Sequence, residues 1–412
     1  ASSLGRNPQS EDRLATLEEQ VEINTAQIKE HAQTKVESDS RFRVKLSGMI
    51  LINTFMNTAD SSVRSTPTRV PALGDALGQT RRNVGANLRQ TLIGMTMEGP
   101  RLAGGRLSAE TEFDFYATNG DSFRGNALGA LRLRTASTRL DWQRTSLTVG
   151  LRPTMVSPLN PSSLAMVWYP AMSNAGNLWQ WRPQIILEHR PQLSTWDDSS
   201  ELVLQLGLLT PFGETLDTRP IEGGLNYQGR VAFRHNFDTE SKLEVGIAGQ
   251  AGQRAFILNR KETTYVISSD WLVPLGRLEL SGEAYFGKAN NLGEQSGYRA
   301  DNYYLLSGPI DNPATVIRGI HAFGGWAQVK LKARRDLDFN FALGIEDPRN
   351  RDVFSDRRNT TNNFKNQVWS SNFIYQLRQN VLLSAEYRRL WTDYAAGRRR
   401  NDHYNFTIGY LF

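Results

Sequence analysis

The sequence predicts an all-β fold: a 16-stranded antiparallel transmembrane β-barrel preceded by a short N-terminal coiled-coil helix. From Arg41 to the C-terminus, apolar and polar residues alternate with a period of two in one segment after another. The links between these segments alternate between short and long. No window approaches the roughly 18 uninterrupted apolar residues of a membrane-spanning helix. A barrel strand hides its apolar residues by alternation, which keeps the mean hydropathy low; here it is -0.47.

The first forty residues carry a seven-residue repeat. Leu14, Leu17, Val21, Asn24 and Ile28 occupy the two seam rows of a heptad frame, and the other faces are polar. So narrow a stripe is typical of a coiled coil that joins subunits. An amphipathic helix lying on its own domain is the alternative. We therefore predict a periplasmic coiled-coil helix over residues 1–40 and a barrel over residues 41–412.

Sixteen segments carry the two-residue period. In one of them, Leu337, Phe339 and Phe341 alternate with Asp338 and Asn340. One apolar face and one polar face are what a wall between lipid and a wet lumen requires. The predicted strands cover residues 42–54, 84–97, 105–117, 130–142, 145–152, 183–190, 201–209, 226–237, 242–254, 264–273, 277–287, 325–333, 337–346, 366–377, 381–390 and 403–412.

The links after even-numbered strands are mostly short, as at Pro274–Gly276 and Arg378–Asn380. The links after odd-numbered strands are mostly long, notably 55–83, 153–182, 288–324 and 347–365. Short periplasmic turns and long outer loops are typical of outer-membrane barrels. The last strand ends on Phe412, and a terminal aromatic residue resembles the signal by which such barrels are recognised for insertion.

Composition and motifs exclude several classes of chemistry. The chain has no cysteine, so it has no disulfide, thiolate nucleophile or cysteine zinc site. Its five histidines show no metal-ligand spacing, and no P-loop or nucleophile elbow occurs. We expect no enzyme activity, metal or cofactor. The Ala-Ser-Ser start is unlike a signal peptide, so a secreted chain would already have lost one.

The net charge of +6 suits anionic solutes or nucleic acid, or is only a mildly basic surface. For a barrel we expect no nucleic-acid partner. Arginine rings in a wet pore favour anions, and guanidinium groups bind carboxylates bidentately. The candidate pore-lining, anion-binding residues predicted to face inward are Arg43, Lys45, Arg89, Arg106, Arg132, Arg134, Arg230, Arg234 and Arg388, and the family resemblance described below adds Arg182.

Inward carboxylates offer a second interpretation of these charges. Antiparallel pairing of the third and fourth predicted strands sets Glu112 and Asp114 near Arg132 and Arg134. Opposite charges in such positions stabilise a sheet. Much of the inward charge is therefore either an anion filter or a self-neutralising ladder across the wall.

Four ordered stretches resemble the DcaP-like outer-membrane porins. They are Leu88–Gly94 (LRQTLIG), Leu107–Phe115 (LSAETEFDF), Leu131–Ala136 (LRLRTA) and Arg182–Ile185 (RPQI), within residues 41–190. The resemblance implies a trimer of 16-stranded barrels with an N-terminal coiled coil, associated with uptake of small organic acids such as dicarboxylates. It matches Arg89, Arg132, Arg134 and Arg182 to arginines of the family's pattern. The chain departs from that pattern at Gly150–Thr154 (GLRPT) and in the content of the third loop.

The third long loop, 153–182, is unusually apolar. Such a loop must pack, either inside the lumen or against a neighbouring subunit. In 16-stranded general porins the third loop narrows the barrel, and this analogy favours the lumen. The candidate constriction residues are Met166, Trp168, Tyr169, Trp179 and Trp181.

These features predict an outer-membrane porin for passive uptake of small hydrophilic, anionic organic solutes of the dicarboxylate type. Its expected partners are two sister subunits, the lipid bilayer and lipopolysaccharide. Arg398–Arg400 lie in a predicted outer loop, where they either meet lipopolysaccharide phosphates or form a solvated tip. A non-conducting barrel anchor that binds a partner through its loops or coiled coil is the alternative. A soluble secreted β-protein, extractable without detergent, is a third.

Overall fold

The computed structural model describes residues 43–61, 63–72, 82–117, 129–192, 199–210, 225–238, 241–256, 260–288, 303–305, 308–309, 311–355 and 363–412. The predicted coiled coil over residues 1–40, with its seam residues Leu14, Leu17, Val21, Asn24 and Ile28, lies outside the described residues.

The described residues form strands β1 to β19 and the short helix α1, Asn350–Ser355. Within them, no helix has the length and apolar character needed to cross a membrane. The strands are β1 Val44–Asn57, β2 Asn83–Asn87, β3 Leu92–Leu102, β4 Gly105–Ala117, β5 Ala130–Asp141, β6 Thr145–Pro153, β7 Trp181–His189, β8 Ser200–Leu209, β9 Asn226–Asn236, β10 Lys242–Phe256, β11 Arg260–Leu275, β12 Leu278–Lys288, β13 Tyr303–Leu305, β14 Ile317–Gly319, β15 His321–Arg334, β16 Leu337–Pro348, β17 Asn363–Arg378, β18 Val381–Tyr394 and β19 Gly397–Leu411.

Seventeen of these strands make one closed ring. β2 and β3 both pair with β1, so they are two pieces of a single barrel strand that is interrupted at residues 88–91. The other strands of the ring pair antiparallel in chain order, β12 pairs with β15, and β1 pairs with β19 to close it. β13 and β14 form a separate hairpin. The predicted 16-stranded antiparallel barrel is confirmed.

The two-residue period of the sequence becomes the two faces of the wall. On β19, Tyr404, Phe406 and Ile408 are exposed on the outer face, whereas Asn405 and Thr407 are buried on the inner face. The same division holds on the other long strands, since a strand turns successive side chains to opposite faces. The outer face is therefore apolar and the inner face polar, as a lipid-embedded barrel requires.

The links between strands differ in length at the two ends of the barrel. One end, the short-turn end, has turns of two or three residues at 103–104, 142–144, 276–277, 335–336 and 379–380, and two longer links at 190–199 and 237–241. The opposite, long-loop end carries 58–82, 118–129, 154–180, 210–225, 289–320 and 349–362. Two links at the long-loop end are short, 257–259 and 395–396.

The prediction that Arg398–Arg400 lie in a loop is wrong, because these residues belong to β19. β18 and β19 continue beyond their apolar segments as a hairpin, in which Asp393 lies opposite Arg398 and accepts its Nε–H at 2.6 Å. The sequence predicts that both strands end where the apolar alternation ends. A backbone ladder needs no apolar side chains beyond the apolar band, so charged pairs extend it.

Candidate lumen site

The link between β6 and β7, residues 154–180, runs across the inside of the ring; we call it the crossing loop. It begins on the inner face of β9, where Met155 N donates to Gln228 Oε1 at 3.0 Å. It reaches far around the wall, where Asn366 on β17 donates to Asn174 O at 2.6 Å, and then returns to β7, where Thr154 N donates to Gln180 O at 3.0 Å. Between these points its backbone bonds to inner-face side chains of further strands, namely Asn53 on β1, Arg132 and Arg134 on β5, Glu283 on β12, Gln328 on β15 and Asn372 on β17.

Close backbone contacts hold the far part of the crossing loop against β15 and β16. Gly176 has φ +102°, and a Cβ there would lie 2.1 Å from Gly325 O. A Cβ on Gly344 would lie 2.2 Å from Ala175 O. Both positions require glycine because the two backbones touch.

We expect Gly344→Ala to weaken the docking of the crossing loop by about 1–3 kcal/mol, since the added methyl group overpacks the contact with Ala175. Faster chymotrypsin cleavage of the folded protein within residues 154–180 measures this. Gly249→Ala on β10 is the control, because a Cβ there meets its nearest neighbour, Val266 O, at an ordinary 3.7 Å. Equal cleavage of the two variants would contradict the tight contact.

The crossing loop brings an apolar core into the barrel. Met172 and Ala175 are fully buried against Trp326, Ala342 and Leu390 of the wall. Two more clusters of buried apolar residues involve the loop, one around Leu178 and one around Trp168. Burial of this kind stabilises by about 1.5–3 kcal/mol for each large side chain. The packing explains why a loop so apolar does not extend into water.

Four of the five predicted constriction residues, Met166, Trp168, Tyr169 and Trp179, are buried in the crossing loop, and Trp181 begins β7 half-buried. The rings of Tyr116 and Trp168 stack with centroids 4.1 Å apart. The Tyr169 hydroxyl donates to Thr66 O at 2.5 Å. Burial raises the pKa of Tyr169, so the phenol stays neutral and keeps donating this bond. Residues 63–72 thus brace the crossing loop from its other side.

Arg132 and Arg134 on β5 bind the carboxylates of β4, as the predicted strand pairing requires. Arg132 makes two bonds to Asp114, from Nε at 2.9 Å and from Nη2 at 2.5 Å. Arg134 contacts Asp114 at 3.2 Å and Glu112 at 2.6 Å. Each guanidinium also donates to a carbonyl oxygen of the crossing loop, at 3.2 and 3.0 Å. These pairs tie β4, β5 and the loop together.

The same part of the wall carries further arginines. Arg152 on β6 pairs with Glu110, and Arg89 lies 4.2 Å above the Tyr116 ring. Arg182 on β7 is buried and donates to Thr210 O. The side chains of Arg132 and Arg152 keep 25% and 35% of their surface exposed to the lumen. We call the whole group the arginine strip: Arg89, Arg132, Arg134, Arg152 and Arg182, with Glu110, Glu112 and Asp114.

The crossing loop covers carboxylates on the opposite wall. Glu283 on β12 accepts bonds from Ser157 Oγ at 2.6 Å and from Leu159 N at 2.8 Å. Glu386 on β18 accepts a bond from Ser163 Oγ at 2.6 Å. The exposed fractions of Glu283 and Glu386 are 2% and 3%. The loop therefore separates the acidic side of the inner wall from the side that carries the arginine strip.

The remaining predicted site residues lie elsewhere on the inner wall. Arg230 is buried between Asp270 and Glu244, and Arg234 pairs with Glu244 and Glu201. Arg388 has no exposed surface, and its Nε lies 3.6 Å from Glu386 Oε1 beneath the crossing loop. Arg43, Lys45 and Arg106 are exposed near the short-turn end.

Two polar residues of the site were not singled out in the sequence. Arg152 lies on the inner face with Ser146, Thr148 and Gly150, and the alternation of these residues is the signal that could have identified it. Gln90 lies in the interruption between β2 and β3, where its side chain donates to Ala165 O and accepts from Val167 N. No periodic signal marks Gln90, because it is not part of a strand. Among the described residues no cluster of side chains could hold a metal ion.

Comparison with solved structures finds the same barrel fold in several porins. The outer membrane channel DcaP of Acinetobacter baumannii superposes with a TM-score of 0.69, at 15% identity, over 92% of this chain and 100% of that one. The anion-selective porin from Comamonas acidovorans gives 0.55 at 14% identity, over 90% and 100% of the two chains. OmpF of Salmonella typhi in complex with daunomycin gives 0.55 at 11% identity, over 90% and 98%. The likeness is one of fold. No family model matches the chain, and no curated protein sequence matches it.

Proposed function

We propose that the chain is an outer-membrane porin for passive uptake of small hydrophilic anions, organic dicarboxylates among them, and that it is a DcaP-like homotrimer. In this proposal the short turns face the periplasm, where residues 1–40 form the trimeric coiled coil. The long loops then face outward toward lipopolysaccharide. The protein carries out no chemistry on its solute.

The observation that carries the proposal is the uneven distribution of charge on the inner wall. The arginine strip exposes Arg132 and Arg152, together with Glu110 and Glu112, and holds five arginines against three carboxylates. Glu283 and Glu386 on the other side of the wall are covered by the crossing loop. An anion in the lumen therefore meets the arginine strip and is separated from the buried carboxylates. Fixed cationic groups along a wet pore lower the energy of a passing anion.

The crossing loop has the position of a constriction in this proposal. It fills part of the barrel's cross-section that would otherwise hold water. The arginine strip then lines one side of the pore that remains. The three comparison proteins support the channel function by their fold. One of them is itself named an anion-selective porin, which agrees with the charge argument made from this chain's own residues.

Opposite shifts of ion selectivity are expected from the two partners of one ion pair. Arg152→Gln should move the reversal potential under a KCl gradient toward the potassium value, because Glu110 is left unpaired in the lumen. Glu110→Gln should move it toward the chloride value, because Arg152 is released. Planar-bilayer recordings of the detergent-folded protein measure both, and each variant is the matched control of the other. A shift of both variants in the same direction would exclude a direct role of this charge pair.

The same recordings address the alternative, a non-conducting barrel anchor. The dense packing of the crossing loop, with Met172 and Ala175 fully buried, is the observation in its favour. A correctly folded barrel that passes no current would establish the anchor and refute the porin proposal. Wild-type steps that arrive in threes with chloride preference would support the trimeric anion porin.

A further inference from the structure

Two arginines face each other across β3 and β4 at the short-turn end. Arg101 and Arg106 are partners in the register, and both side chains are exposed. Like charges directly opposite in a sheet repel each other. Among the described residues, neither guanidinium group has a hydrogen bond, an ion pair or a ring contact. On its other side Arg106 lies opposite Asp141 in the β4–β5 register, with no ion pair between the two side chains.

A β-bulge turns Arg101 toward this position. Glu98 lies opposite Ser108 and Arg101 opposite Arg106, so β3 uses three steps where β4 uses two, and Gly99–Pro100 contain the extra residue. An extra residue reverses the face to which the following side chain points. Without the bulge, Arg101 would lie on the outer face beside the neighbouring apolar residues. The bulge instead brings it to the inner face.

The charges around this pair do not balance. Asp141 is engaged by Arg139 at 3.2 Å and by Arg190 at 3.8 Å. Glu188 is engaged by the same two arginines, at 3.5 and 3.7 Å. Asp141 and Glu188 are thus both paired with Arg139 and Arg190, and neither Arg101 nor Arg106 forms an ion pair within the described residues. Glu98, the next acidic side chain on β3, makes no ion pair with either of them within the described residues.

These groups surround a hollow of about 600 Å³ at the short-turn rim of the barrel. Its lining combines Arg101, Arg106 and Arg190 with Asp141 and with the turn residues Gly104, Trp142 and Gln143. A volume of this size is large enough for a small solute. Convergent guanidinium groups in a hollow are the donors that recognise carboxylate or phosphate oxygens.

We propose that Arg101 and Arg106, with Arg190 beside them, form a binding site for a small doubly charged oxyanion at the short-turn mouth. Two uncompensated positive charges match a dicarboxylate or a phosphate dianion better than a monoanion. The inference rests on the proposed function and extends it, because it adds a second anion-binding site on the same path, away from the arginine strip. In the orientation proposed above, the site is where a solute leaves for the periplasm.

The test is binding of succinate to the detergent-folded full chain by titration calorimetry, with the double variant Arg101→Gln, Arg106→Gln. The dissociation constant of one succinate site is expected to rise at least about tenfold, since hydrogen bonds to charged groups contribute more than neutral ones. Arg398→Gln, which removes an arginine at the other end of the barrel, is the control and should bind like the wild type. Formate, a monoanion, should bind the wild-type site more weakly than succinate.

A chemical rescue separates charge from damage to the fold. The chain has no cysteine, so Arg106→Cys introduces a single thiol. Modification of that thiol with a cationic thiosulfonate should restore succinate binding, whereas an anionic one should not. Succinate binding that is equal in the wild type and the double variant would overturn the site. Recovery with both reagents would also overturn it.

Bilayer recordings distinguish this inference from the proposed function. Under a KCl gradient the double variant should keep the chloride preference that the arginine strip provides, while block of the chloride current by succinate added at the short-turn side weakens. If the wild type passes no current and calorimetry still shows the succinate site, the site stands and the porin proposal fails. If the current is anion-selective and the double variant binds succinate as tightly as the wild type does, the porin proposal stands and the proposed site is refuted.

Discussion

Deletion of residues 158–176, with a short glycine linker between Ser157 and Asn177, is expected to raise the single-channel conductance several-fold and to shift selectivity toward cations. The two ends are already neighbours, because Ser157 Oγ and Asn177 Oδ1 lie 3.2 Å apart. A short linker therefore closes the gap without moving β6 or β7. The rise in conductance follows because the deleted segment crosses the inside of the barrel.

The change in selectivity has a separate cause. The deletion uncovers Glu283 and Glu386, which lose their bonds from Leu159 N and from Ser163 Oγ. Two carboxylates and Arg388 would then face water on this side of the wall, which adds one net negative charge to the lumen. The conductance and the reversal potential in planar bilayers measure the two effects separately.

Replacement of the exposed residues 311–314, also at the long-loop end, by a glycine-serine sequence is the control for loop engineering. Gel mobility before and after heating shows whether each variant is folded. Unchanged conductance of a folded deletion variant would mean that the crossing loop does not limit the current, and the proposed constriction would be abandoned.

Arg230→Met is expected to lower the free energy of unfolding by about 3–5 kcal/mol, the cost of removing one partner from a buried ion pair. Arg230 bonds to Asp270 at 2.5 Å and to Glu244 at 2.9 Å, and its side chain is 3% exposed. The substitution leaves both carboxylates buried without that cation. Urea unfolding of the protein in lipid vesicles, followed by tryptophan fluorescence, measures the loss.

Arg398→Met is the matched control, because Arg398 binds Asp393 with its side chain 54% exposed. An exposed pair of this kind contributes about 0–1 kcal/mol. Adding Asp270→Leu to Arg230→Met should recover part of the lost free energy of unfolding, since it removes one of the two carboxylates that Arg230→Met leaves without their cation. If Arg230→Met and Arg398→Met had equal effects, the Arg230 cluster would not be structural.

The wall of this barrel was predictable because its signal is local. The alternation along Leu337–Leu343 depends only on the pleat of one strand and on the contrast between lipid and water. It is therefore visible in the sequence, because no contact with a distant segment alters it. The pairing of Asp114 with Arg132 was also predictable, since it follows from antiparallel order. The apolar content of residues 153–182 showed that this loop must pack.

What the sequence did not show depends on contacts between distant segments. Arg388 and Arg132 are both inward arginines with the same pattern around them, yet only Arg388 lies beneath the crossing loop with no exposed surface. The bulges at Gly99–Pro100 and at Arg134 add one residue each and reverse a face, which a strict period of two cannot express. A strict period of two therefore assigns faces only between bulges, whereas the burial and pairing of inward side chains depend on the crossing loop.

The crossing loop also affects how firmly the first and last strands of the barrel stay paired. The first and last strands of the ring, β1 and β19, meet at a single seam, and the loop contacts the wall on both sides of it. Leu164 O accepts a bond from Asn53 on β1 at 2.9 Å, and the adjacent Ser163 bonds to Glu386 on β18, beyond β19. These bonds can all be made only once the seam has closed, so the loop acts as an internal latch. Interactions that form after the rate-limiting step slow unfolding more than they speed folding. The segment that crosses the lumen would therefore also lengthen the lifetime of the assembled barrel.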